Sequence, residues 1–169
     1  MKALLAIAVL CLSFFAPAPT AEASPQCKAT KYDITICVVQ TGSSVSSGRI
    51  YEGTVDQFGV IASGFGSSIT DTTEGTGDFI TPFSTFRHPF LAFCATAKMT
   101  DKGACGRNLK PGLKNVVMFD SAKGAFAIHY YRSIGESHGC IRTSWDISKY
   151  LFDAYQAGKS IALVYLDRR

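Results

Sequence analysis

The residues best suited to chemistry in this chain are concentrated in one hexapeptide, Ser137-His138-Gly139-Cys140-Ile141-Arg142. A cysteine attacks as its thiolate, and a nearby imidazole can take the proton and stabilise the charge left behind. The chain has three histidines, His88, His129 and His138, and the last two lie within eleven residues of Cys140. On extended backbone His138 would share a face with Cys140, because side chains two apart project the same way. His129 would reach back from a preceding strand. Gly139 permits an unusual turn and lets a substrate approach the backbone. Amide N–H groups around Gly139 and Cys140 could form an oxyanion hole, and Arg142 offers a planar fork for a carboxylate. The blander readings are an inert buried thiol and a core histidine on a strand face. A zinc centre of His129, His138 and Cys140 would lack a fourth ligand and standard spacing. His88, next to Pro89, reads as structural or surface, and Trp145 as packing.

Cysteine arithmetic singles out the same residue. Met1-Lys2 is followed by an uncharged, mostly apolar run of 14 residues from Ala3 to Ala16, then small residues and prolines. A membrane-spanning helix needs about 20 apolar residues, so residues 1–23 read as a secretory signal peptide cleaved after Ala21-Glu22-Ala23. The expected mature chain, residues 24–169, keeps Cys27, Cys37, Cys94, Cys105 and Cys140. In an oxidising compartment four of the five can pair. Cys27/Cys37 and Cys94/Cys105 are the local pairs, although four cysteines allow three connectivities. Cys140 is then the unpaired thiol.

The rest of the chain must position these groups. Of its 169 residues, 47% are hydrophobic and 18% charged, which excludes intrinsic disorder and suits a single domain. Cleavage leaves 16 basic and 12 acidic residues, dispersed, so the net charge stays at +4 and no clustered stripe points to nucleic acid. Strand-like runs recur at Ile34–Gln40, Arg49–Thr54, Gly59–Ser63, Phe79–Phe86, Phe90–Thr96, Val116–Asp120, Ala125–Tyr131 and Ser160–Leu166. They predict a sandwich or barrel, with Val116–Phe119 and Ala125–Tyr131 covered on both faces. Thr41–Gly48, Ser63–Gly77 and Thr100–Asn115 read as loops. Gly64-Phe65-Gly66 does not extend to a dinucleotide fingerprint. A helix is predicted from a Thr143 cap, with Asp146 in the capping-box position and Ile147, Leu151 and Ala154 on one face. Gly158 would close it in left-handed conformation.

Ser137–Arg142 resembles the SHGC-I-R signature of the L,D-transpeptidases, the YkuD-like catalytic domain family. Ala127-Ile128-His129 resembles that family's strand bearing an upstream histidine, and Thr81-Pro82 with Phe86 resembles its T-P-x-G-x-F segment. The resemblance covers Phe79 to Leu166 and is strongest over Ala127–Arg142. It implies a mainly β fold with one helix, a mixed β-sandwich of the L,D-transpeptidase type. It also implies that Cys140 attacks the L-to-D peptide bond of a peptidoglycan stem tetrapeptide, expels D-Ala and passes the thioester to a neighbouring amine. By that pattern His129 is the base or ion-pair partner and His138 shapes the site. Ser137, Gly139, Arg142 and Tyr130 contact substrate, and no metal or organic cofactor is needed. The implied location is the periplasm or cell envelope, with peptidoglycan stem peptides as partner and no stable membrane insertion after cleavage.

Three positions depart from the pattern. Only seven residues, Tyr130–Glu136, separate His129 from Ser137, where the family usually has about a dozen or more. Tyr130 stands where Gly or Ser is usual, and Ser84 where Gly is usual. A trimmed lid could admit water and turn the enzyme into a carboxypeptidase or endopeptidase. A wall-binding protein with an inert SHGC site is the third reading.

Overall fold

In the structure, a computed structural model, residues 27–40, 46–59, 81–100, 105–106, 111–122, 124–130, 132, 137 and 139–167 are described. The expected signal peptide and the expected Ser63–Gly77 loop lie outside them.

Eight strands and one helix follow in the order β1 (Ile34–Gln40), β2 (Ser46–Glu52), β3 (Val55–Gly59), β4 (Phe90–Lys98), β5 (Lys114–Ser121), β6 (Gly124–Tyr130), β7 (Ile141–Thr143), α1 (Trp145–Gln156) and β8 (Ile161–Asp167). They form one mixed sheet ordered β3-β2-β1-β8-β4-β5-β6-β7, with β1/β8 and β6/β7 parallel and the other pairs antiparallel. The fold is mainly β with one helix, as expected. β4 turns the sheet from one half to the other: Phe90 and Leu91 pair with β8, and Ala92 to Lys98 pair with β5 across a bulge. The curled sheet closes over a shared core that draws Ile34, Ile36 and Leu163 from one half, Phe119, Phe126, Ile128 and Ile141 from the other, and Leu151 from α1. β5 is buried on both faces, because Val117 and Phe119 enter this core while Val116 and Met118 enter a second, smaller cluster.

Several expected boundaries move. The β2/β3 turn falls at Gly53-Thr54, where Gly53 takes φ +57°, so the expected Arg49–Thr54 run ends one tight turn earlier. Ser46 to Gly48, expected in a loop, are already laddered to β1. The 81–86 segment is not a strand, yet it is held against β8: Ser84 N–H donates to the Tyr165 carbonyl at 2.9 Å, and its hydroxyl bonds both Leu163 and Tyr165. The helix cap is Ser144, not Thr143, its hydroxyl accepting from the Ile147 N–H; Thr143 instead ends β7. At the other end Gly158, at φ +80°, donates to Tyr155 O and Lys159 donates to Ala154 O, a Schellman closure.

The disulfides are Cys27–Cys37 and Cys94–Cys105, and Cys140 is free. Among the described residues no helix is long and apolar enough to cross a membrane.

Candidate active site

β6 and β7 hold the site because they are neighbouring parallel strands. Their register sets Ile128 beside Ile141 and His129 beside Arg142. Paired residues in a ladder share a face and successive residues alternate. Phe126, Ile128 and Ile141 therefore enter the main core, while Ala127, His129, Cys140 and Arg142 project to the opposite side. The smaller cluster confirms the parity, since it contains Ala127 and Cys140 together with Met118. His129 and Cys140 are diagonal neighbours on adjacent strands, two positions apart along one face. β7 has only three residues and escaped detection in the sequence, yet it turns spacing along the chain into proximity.

The loop entering β7 is tied at two points. Ser137 Oγ donates to the Cys140 carbonyl. Gly139 sits at φ +90°, where a side chain would be strained. Its carbonyl accepts from Thr81 Oγ1 at 2.6 Å, a buried bond across 58 residues of chain. The Thr81-Pro82 segment therefore supports the Cys140 loop from outside it. Ser84, the residue that departs from the family pattern, fixes the same segment to β8 through the bonds described above. His138 lies outside the described residues, and so do residues 133–136 of the short connection.

Burial sets the protonation states. Cys140 is 8% exposed and His129 3%. Loss of water pushes the Cys140 thiol upward, against the Ala127 N–H and the Arg142 guanidinium, which favour thiolate. Loss of water pushes the His129 imidazole downward from 6.5; the Tyr130 carbonyl opposes this, and the Arg142 charge adds to it. Both groups are therefore neutral near pH 7. The Tyr130 carbonyl, which can only accept, lies 3.0 Å from His129 Nδ1. That contact fixes the proton on Nδ1 and makes Nε2 the acceptor nitrogen of the neutral ring.

Tyr130 points the other way. It alternates with His129 onto the helix side, where its ring meets Trp145 edge-on at 5.3 Å between centroids. The two rings, with Gly112, Lys114 and Arg132, line an open cleft of about 540 Å³ at the start of α1. Tyr130 is thus separated by the sheet from Cys140, whereas His129, Cys140 and Arg142 are brought together. Trp145 is 44% exposed and borders a cleft instead of packing inside. His88 is exposed in the turn that follows Thr85. Among the described residues no three His, Cys, Asp or Glu side chains are grouped to hold a metal ion.

No protein-family model and no curated protein matches the sequence. Among solved structures, the chain is similar to an L,D-transpeptidase from Mycobacterium smegmatis, with 14% identity and a TM-score of 0.48. The match covers 78% of this chain and 58% of that one, so the chain spans less than two thirds of the neighbour's length.

Proposed function

We propose that this protein is an exported, cysteine-dependent peptidoglycan L,D-transpeptidase. The supporting observation is a free cysteine that shares one sheet face with a neutral, oriented imidazole and a guanidinium, while four other cysteines are tied up in disulfides. The Ser137–Arg142 signature supplies the substrate class. Because burial keeps both Cys140 and His129 neutral, His129 works as a general base and not as half of a preformed ion pair. As Cys140 Sγ attacks the carbonyl carbon of the L-to-D bond, His129 Nε2 takes the thiol proton. The Tyr130 carbonyl stabilises the resulting imidazolium through Nδ1–H. Arg142 stabilises thiolate character at sulfur. The imidazolium then returns its proton to the departing amine of D-Ala, leaving a thioester. A side-chain amine of a second stem attacks that thioester and restores the thiol.

Release of the thioester to water is the second reading, an L,D-carboxypeptidase or endopeptidase. It is favoured by the seven-residue span between His129 and Ser137, which leaves little chain for a cover over the acceptor side. Product masses from purified tetrapeptide muropeptides separate the two. A Cys140-dependent dimer, lighter than two substrates by one D-Ala, is the result expected of the transpeptidase. Tripeptide without dimer means the hydrolase, and unchanged substrate counts against both.

A further inference from the structure

A second cleft lies away from the thiol. It has a volume of about 440 Å³ and is lined by Lys28, Lys31 and Arg87 with Tyr32 and Phe86. Three cations thus face one opening, and among the described residues no carboxylate pairs with any of them. The nearest acid in sequence, Asp33, is committed elsewhere: Ser160 donates to it through both its N–H and its hydroxyl.

The cleft is held in shape from several sides. Cys27 is bonded to Cys37, and its carbonyl accepts from the Tyr51 hydroxyl at 2.9 Å. Thr30 is tied to Thr35 Oγ1 through its backbone N–H at 3.0 Å and its hydroxyl at 2.6 Å. The ammonium of Lys28 stands 4.9 Å from the Phe86 ring centroid, and that of Lys31 stands 5.5 Å from the Tyr32 centroid. Cation–π contact at such distances restrains a lysine head group without neutralising it, which lowers the entropy lost when an anion binds. Phe86 and Arg87 lie in the bend that follows the segment beginning at Thr81, whose hydroxyl holds the Gly139 carbonyl. Five residues of extended chain span at most about 18 Å, so the cleft and the Cys140 loop are joined by one short segment.

We infer that this cleft binds a polyanionic chain, with Lys28, Lys31 and Arg87 contacting successive phosphate or carboxylate groups. Three cations around an open groove fit repeated charges on a polymer better than a single small anion. Such binding would hold the protein on an anionic polymer while the thiol face, at the other end of the segment, remains available. It does not depend on the reaction proposed for Cys140.

The test is equilibrium binding of the oxidised mature protein to inorganic polyphosphate and to polygalacturonate, in parallel, across a salt series. The expected result is saturable binding to at least one polymer, with log affinity falling against log salt at a slope of about −2. Preference between the two tells phosphodiester-like from carboxylate ligands, and either one supports the inference. Lys28→Gln/Lys31→Gln/Arg87→Gln is expected to weaken binding at least about tenfold, since it strips the groove of its positive charge. Lys98→Gln/Lys149→Gln/Arg49→Gln, which removes equal charge elsewhere, and Cys140→Ala are expected to bind like the parent. Amide shifts on adding polymer should cluster at Lys28–Tyr32 and Phe86–Arg87, a readout that needs no variant. Absence of binding to both polymers, equal weakening in the two triple variants, shifts elsewhere, or binding to anionic vesicles alone would each overturn the inference.

Discussion

The two faces of the β6/β7 ladder are built from the same backbone and are almost equally buried, yet they serve opposite ends. On one face Ile128 and Ile141 are fully buried in the main core under α1. On the other, His129 and Cys140 are 3% and 8% exposed beside Arg142. Burial of an isoleucine releases ordered water at no polar cost, so the first face stabilises the ladder. Burial of a thiol and an imidazole stabilises little and disfavours the charged form of each. The lesson is a division of labour by strand parity. The apolar face fixes a register, and the register places His129, Cys140 and Arg142 on one face without asking them to support the fold.

This division can be broken from either side. The largest effect is expected from Cys140→Ala, which should abolish product formation by muropeptide mass analysis while Tm changes by only a few degrees; an unfolded variant would break the comparison. His129→Gln should lower kcat by about 10²–10⁴, the usual range for loss of a general base, with little change in KM. Ile141→Ala, one residue from Cys140 but on the opposite face, should cost about 2–5 kcal/mol in denaturant unfolding through its cavity. Thr81→Val should cost about 1–3 kcal/mol by stranding the Gly139 carbonyl, and lower kcat more than a surface change of equal stability.

The smallest effect is a pH dependence of stability. His129 binds its proton more weakly in the folded state, so the unfolded chain takes up protons first and stability should fall as pH drops below 6.5. Cys140 holds its proton more tightly when folded, so stability should fall as pH rises above 9.0. Cys140→Ala should remove its share of the alkaline loss and leave the acid limb unchanged. Urea titrations at stepped pH would read both.

Legibility in the sequence followed the strength of local signals. β1 was readable to the residue, because Ile34–Gln40 is a compact apolar run between turn residues. α1 was readable from its 3–4 spacing, but two adjacent hydroxyls, Thr143 and Ser144, compete for the cap and only the backbone decides between them. β7 was missed because three residues carry no period. The parallel partnership of β6 and β7 was equally hidden, since pairing between strands leaves no trace in composition. Cys140 emerged as the unpaired thiol by cysteine arithmetic, and both local disulfides form as expected. Tyr130, grouped by resemblance with the substrate contacts of the Cys140 site, lies instead beside Trp145, because successive residues of β6 alternate and it follows His129. The Thr81–Gly139 bond spans 58 residues and had no local signal beyond the Thr-Pro pair itself.

The account rests on Cys140 as the nucleophile, and intact-protein mass spectrometry tests it most directly. The mature protein would be quenched in acid during turnover of a purified stem tetrapeptide, then digested to locate any adduct. The expected result is a mass gain equal to the tetrapeptide minus D-Ala, carried on the peptide containing Cys140, absent from Cys140→Ala and accumulating more slowly in His129→Gln. Normal product formation with no such adduct, or by the Cys140→Ala protein, would contradict it.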